Sequence, residues 1–122
     1  STIDSLGDGL VTTDTYGRID YANQAAELLL GRTLEEVNGQ TFADVVTVVD
    51  EADRKALADP VRQCLASGVT VSLGRRAVML VRSDGAERSI ELTAAPLRGE
   101  RGDVTGAVVL LHDVTELRGI AR

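Results

Sequence analysis

Apolar and polar positions change their spacing twice along this chain. Residues 10–13 (Leu-Val-Thr-Thr) are a short β-branched run, and residues 18–22 (Arg-Ile-Asp-Tyr-Ala) alternate polar and apolar. Both patterns fit strands, whose side chains point to opposite faces in turn. Asp14-Thr15-Tyr16-Gly17 lies between them, with Asp first and Gly last as a β-turn prefers. A hairpin is predicted. The spacing then becomes helical, with Ala25, Leu28 and Leu29 on one face of residues 24–30. Asn23 is positioned to cap that helix and Gly31 to end it. Thr33 and Glu36 have the spacing of a capping box, and Asn38-Gly39 is a turn pair. Residues 41–46 are expected to form another short helical turn, and residues 50–58 a charged helix. At Asp59-Pro60 a cap and a first helical residue predict a restart, with Val61, Cys64 and Leu65 on one face and Gly68 as the stop.

The last third returns to the period of strands. Residues 69–82 are a long strand candidate with Gly74 as a bulge. Asp84-Gly85 signals a tight hairpin. Residues 87–97 put Ile90, Leu92 and Ala94 on one face and Glu87, Ser89, Glu91 and Thr93 on the other. After the loop 99–103, residues 104–114 form the last strand. Strands, then short helices, then strands predict an α+β fold with an antiparallel sheet. Residues 107–111 are apolar at every position, so both faces of that strand need cover: helices on one, and the N-terminal segment or a second subunit on the other.

Composition narrows the function. The 122 residues include only Tyr16, Tyr21 and Phe42 as aromatics, so a 43% hydrophobic chain must build its core from aliphatics. Thirteen Lys and Arg against nineteen Asp and Glu leave a net charge of −6, which disfavours a nucleic-acid face. The longest strictly apolar run, 107–111, is too short to span a bilayer, and no signal peptide opens the chain. One Cys cannot make an internal disulfide. The reading is a cytoplasmic domain without direct membrane contact.

Candidate chemistry is sparse. His112 is the sole His, with no Cys partner nearby, no second His and no Ser-centred motif, and reads as structural or surface. Cys64 lies in an apolar stripe and reads as buried. The acidic groups Glu35-Glu36 and Asp50-Glu51-Asp53 read as helix-start residues rather than a metal cage, and no metal is expected. His112 beside Asp113 is the only adjacent catalytic pair, and neighbours on a strand face opposite ways. An enzyme is therefore the least favoured reading.

The order of these segments resembles the PAS domain family over nearly the whole chain. Residues 8–14 (Asp-Gly-Leu-Val-Thr-Thr-Asp) look like its first strand, and residues 17–23 like its second strand and capping Asn. Residues 25–31 followed by Glu36-Val37-Asn38-Gly39 resemble its first helices. Asp84-Gly85 and Ala95-Pro96-Leu97 are similar to its later hairpin and strand end. The most specific piece is His112-Asp113-Val114-Thr115-Glu116, similar to the Asp-Ile/Val-Thr signature that closes the domain. The resemblance implies a five-stranded antiparallel sheet flanked by short helices, with residues 1–116 as the PAS domain. Residues 117–122 then begin the exit helix, where Leu117, Ile120 and Ala121 have helical spacing.

By this resemblance the chain is a sensor or dimerisation module. It would couple a signal or small ligand to an output domain in cis: a histidine kinase, a cyclic-di-GMP enzyme or a transcription regulator. The alternative is a homodimerising relay with no ligand. Fold analogy places a pocket among Phe42, Val45, Val61, Cys64, Leu65, Met79, Ile90 and Leu92. Transmission falls to Asp113, Thr115, Glu116 and Arg118, with Asp113 capping the exit helix or pairing with Arg118. Haem-binding members carry a His on the helix corresponding to residues 50–67, and none is there. Flavin photosensors carry Asn-Cys-Arg-Phe-Leu-Gln, where this chain reads Asn38-Gly39-Gln40-Thr41-Phe42-Ala43. Neither cofactor is expected, and a small aliphatic ligand or none is.

Overall fold

The computed structural model describes residues 8–50, 52–81 and 87–113, with the side chains at 74–81, 87, 88 and 113 left aside. Ten elements follow in order: β1 (Gly9–Thr13), β2 (Ile19–Ala22), α1 (Gln24–Leu30), α2 (Leu34–Val37), α3 (Phe42–Val45), β3 (Val46–Asp50), α4 (Pro60–Ser67), β4 (Val71–Val81), β5 (Glu87–Arg98) and β6 (Val104–Asp113). The strands form one antiparallel sheet in the order β2-β1-β6-β5-β4-β3. The last strand therefore lies between the first and the fifth. Both ends of the described chain meet at the sheet's centre, where Gly9 opposes Leu111.

The predicted α+β architecture is what forms, with each of the five expected strands present. A sixth, β3, pairs with β4 at the edge, Val48 opposite Met79. This corrects two expectations. The helical turn ends at Val45, and no helix occupies the described part of residues 50–58. Val-Thr-Val-Val is β-branched, which favours a pleated surface. Asp50 then stabilises a turn: its Oδ1 accepts from the amides of Ala52 at 2.8 Å and Asp53 at 3.4 Å. The carboxylate that read as a helix start serves a turn of the same local chemistry. Arg54 follows at φ 61°. Residues 1–6, Asp84-Gly85 and the exit segment lie outside the described residues.

The caps behave as the side chains dictate. Asn23 Oδ1 accepts from the amides of Ala26 and Leu10, each at 2.9 Å, so one side chain caps α1 and holds β1. Thr33 and Glu36 complete the capping box at α2. Asp59 caps α4 with Pro60 in its first turn, and Gly68 ends it at φ 71°, a left-handed conformation that suits Gly. Ladder irregularities fall between Leu73 and Ala77, around the expected bulge at Gly74. Pro96 opposes Ala107 of β6 beyond the last β4 partner, Ala94, so it breaks no bond on its other side.

One face of the sheet carries Val11, Ile19, Ile90, Leu92, Ala94, Ala107, Val109 and Leu111, all buried. Against it pack Ala26 and Leu30 of α1, Val37 of α2, Phe42 and Val45 of α3, and Val61 and Cys64 of α4. Each fully buried Leu, Ile or Val contributes about 1.5–3 kcal/mol.

Candidate functional site

The pocket candidates converge, but as a packed core. Phe42, Val45, Val61, Cys64, Ile90 and Leu92 are at most 2% exposed and share one cluster, with Leu65 half-buried against it. Met79 sits on β4 opposite Val48 and Arg88, with its side chain outside the described set. Burial pushes the Cys64 thiol up, and the positive charge of Arg98 opposes that only in part. A buried thiol held protonated is a poor nucleophile.

Two concavities flank this core. One is an open cleft of about 520 Å³ between the β1–β2 turn and α4, lined by Val61 and Leu65 among the described candidates. The other, about 190 Å³, is lined by Phe42, Val46, Val48, Leu57 and Pro60 among others. Among the described residues no cluster of three His, Cys, Asp or Glu is arranged to hold a metal.

The transmission residues lie at the end of β6. Asp113 is its last residue and opposes Ile90, while Thr115, Glu116 and Arg118 lie outside the described residues. One residue earlier, His112 Nδ1 meets Asp8 Oδ1 at 2.6 Å, both side chains being nearly half-exposed. The register explains this: Gly9 faces Leu111, so Asp8 falls beside His112. On its other side His112 opposes Glu91 of β5. The backbone carbonyl of Asp8 also accepts from Asn23 Nδ2 at 3.4 Å. Asp8 thus joins the α1 cap to the strand that leads out of the domain. Sequence reasoning considered His112 with Asp113 and missed Asp8, which only the strand order brings near.

Arg98 was missed as well. From the end of β5, its Nη2 donates to the carbonyl of Gly68 at 2.5 Å and its Nη1 to that of Gly102 at 2.7 Å. It ties the end of α4 to the turn that feeds β6.

The other sheet face is less covered. Leu110, in the middle of β6, is 47% exposed. Leu10 and Thr93 oppose it on either side, Val108 and Ala95 pair one step along, and Leu97 and Tyr21 lie at the margins. The two-faced apolar run of β6 is thus half satisfied by the helices, while the described residues leave its outer side partly open.

This order of strands and helices has a match. The sequence profile for the PAS fold aligns with residues 3–119. The chain belongs to the PAS family. Over its whole length this PAS domain is 27% identical to the sensor protein kinase WalK of Staphylococcus aureus. It spans only 18–26% of the length of such curated relatives. Among solved structures, a PAS domain from Colwellia psychrerythraea is 26% identical, with TM-score 0.70, covering 93% of this chain and 91% of that one. The PAS domain of nitrogen regulation protein NR(II) from Vibrio parahaemolyticus, 21% identical with TM-score 0.66 (88% and 90% covered), shares the fold. So does a light-oxygen-voltage domain studied with a flavin analogue, 24% identical with TM-score 0.68 (98% and 87% covered). Among the described residues no helix is long and apolar enough to cross a membrane.

Proposed function

We propose that this PAS domain is the relay module of a sensor kinase. It pairs with a second copy through the outer face of its sheet and passes a change along β6 to an output domain in cis. The observation that carries the reading is the position of Leu110. It is half-exposed at the centre of the sheet, on the strand that ends at Asp113. A partner covering Leu10, Val108, Leu110 and Ala95 removes apolar surface from water and bears directly on that strand. The similarity to sensor protein kinase WalK favours a kinase over the cyclic-di-GMP enzyme or transcription regulator as the output. The net charge of −6 supports a module that contacts neither nucleic acid nor an anionic membrane surface, consistent with a cytoplasmic placement.

The domain works without haem or covalently bound flavin in this reading. Phe42 is the only buried aromatic, since Tyr16 and Tyr21 are 74% and 46% exposed. The burial of Phe42, Val45, Val61, Cys64, Ile90 and Leu92, each at most 2% exposed, favours a relay with an occupied core over one with a roomy internal cavity. Asp113, with Thr115, Glu116 and Arg118, then fixes the angle at which the exit helix leaves β6.

The test uses the intact protein with its output domain. Leu110→Glu and Asp113→Ala should each change kinase output several-fold while shifting the melting temperature little. Unchanged output from both variants, with or without lost stability, would overturn the relay reading.

A further inference from the structure

The cleft of about 520 Å³ between the β1–β2 turn and α4 has no part in that relay. Its aliphatic wall comes from Val61, Leu65 and Ala66 of α4 and Ala43 of α3. The rest of its lining is rich in unused donors. Among the described residues, the hydroxyls of Thr15, Tyr16 and Thr41 have no hydrogen-bond partner. Thr41 even occupies the N-cap position of α3 without bonding it. The Arg62 guanidinium, on the first turn of α4, has neither an ion pair nor a hydrogen bond among the described residues. Asp59 is the only carboxylate among the described lining residues, and its Oδ1 is engaged by the amides of Val61 at 3.0 Å and Arg62 at 3.4 Å.

A free guanidinium flanked by hydroxyl donors suits a carboxylate, which accepts two parallel N–H···O bonds from one Arg. The aliphatic wall rewards a short alkyl chain. A flat aromatic ligand is poorly served, because the Tyr16 ring already has the Arg18 guanidinium 4.9 Å from its centroid. We propose that this cleft binds a small aliphatic monocarboxylate. Its carboxylate sits on Arg62 and the hydroxyls of Thr15 and Thr41, and its chain lies along Val61 and Leu65. The ligand rests on the helix whose far end Arg98 ties to the turn before β6. The site lies on the helix side of the sheet, so it stands or falls independently of pairing through the other face.

The probe is sodium hexanoate, with hexylamine and hexanol as controls of equal chain length at matched ionic strength. Amide NMR shifts of this 122-residue chain are followed during titration. Hexanoate should shift Gly17, Thr41, Arg62 and Ala66 saturably, and the two controls should not. Arg62→Gln should weaken hexanoate binding about tenfold or more, the worth of one charge-assisted contact. Ala43→Phe, which fills the cleft and leaves the cation in place, should abolish it. No saturable response to hexanoate would overturn the proposal. So would equal responses to hexanoate and hexylamine, shifts centred on Cys64, Ile90 and Leu92, or full affinity in both variants.

Discussion

Asn23 joins helix α1 to strand β1 through one side chain. It caps α1, satisfies the Leu10 amide of β1 and reaches the Asp8 carbonyl. Asn23→Ala removes an N-cap, worth about 0.5–2 kcal/mol, and strands a half-buried amide of β1 as well. A loss near the top of that range is expected in urea denaturation, and a loss below about 0.5 kcal/mol would contradict the dual role. Gly106 is a second residue-scale constraint. A Cβ there would lie 2.1 Å from the Thr13 carbonyl oxygen, so β1 and β6 approach too closely for any side chain. Gly106→Ala should cost about 1–3 kcal/mol by forcing the strands apart, seen as a lower denaturation midpoint. Asn23 was readable as a cap because its chemistry is local. The His112–Asp8 pair was not, because the partners are far apart in sequence and only β6 inserting beside β1 joins them. Both side chains are nearly half-exposed, so His112→Gln should change stability by at most about 1 kcal/mol.

Among the elements, two carboxylates in turns and caps predict a loss of stability toward acid. Glu36 accepts a backbone bond from Thr33, which lowers its pKa; slight desolvation opposes this, and the Thr33 hydroxyl and the Arg32 charge add to the lowering. At Asp14 desolvation works upward, yet the amides of Arg18 and Tyr16 and the Arg18 charge outweigh it and leave the carboxyl lowered. Both groups therefore bind protons more readily in the unfolded chain. Their stabilisation is complete above the ordinary carboxylate range and is lost as pH falls through the lowered folded values. Denaturation midpoints measured from neutral pH into acid should decline, and Glu36→Gln should flatten that decline. A midpoint that rises toward acid would contradict the sign. The same local chemistry explains what was illegible in β3. Asp50 and Asp53 suit a turn as well as a helix start, and only pairing with β4 decides for the strand. Strand existence elsewhere was legible because residues 87–97 alternate cleanly, and that alternation is the burial pattern observed from Ile90 to Ala94.

For the whole molecule, the scarcity of rings acquires a structural meaning. Aliphatic side chains and Phe42 pack the space between sheet and helices, and Phe42, Val45, Val61, Cys64, Ile90 and Leu92 share that core. The open cleft beside α4 was not legible, since it depends on how the β1–β2 turn is set against that helix. The proposed pairing of two copies, each of net charge −6, would work against mutual repulsion. Added salt should therefore tighten the dimer by screening, the opposite of an interface held by opposite charges. Dilution series at low and high salt would check this. The most direct test of the relay is sedimentation velocity on this chain and its Leu110→Glu variant over a range of concentrations. A dimeric parent and a monomeric variant with a nearly unchanged melting temperature are expected. A parent that stays monomeric throughout, or a variant that dimerises as well as the parent, would contradict pairing through the outer face of the sheet.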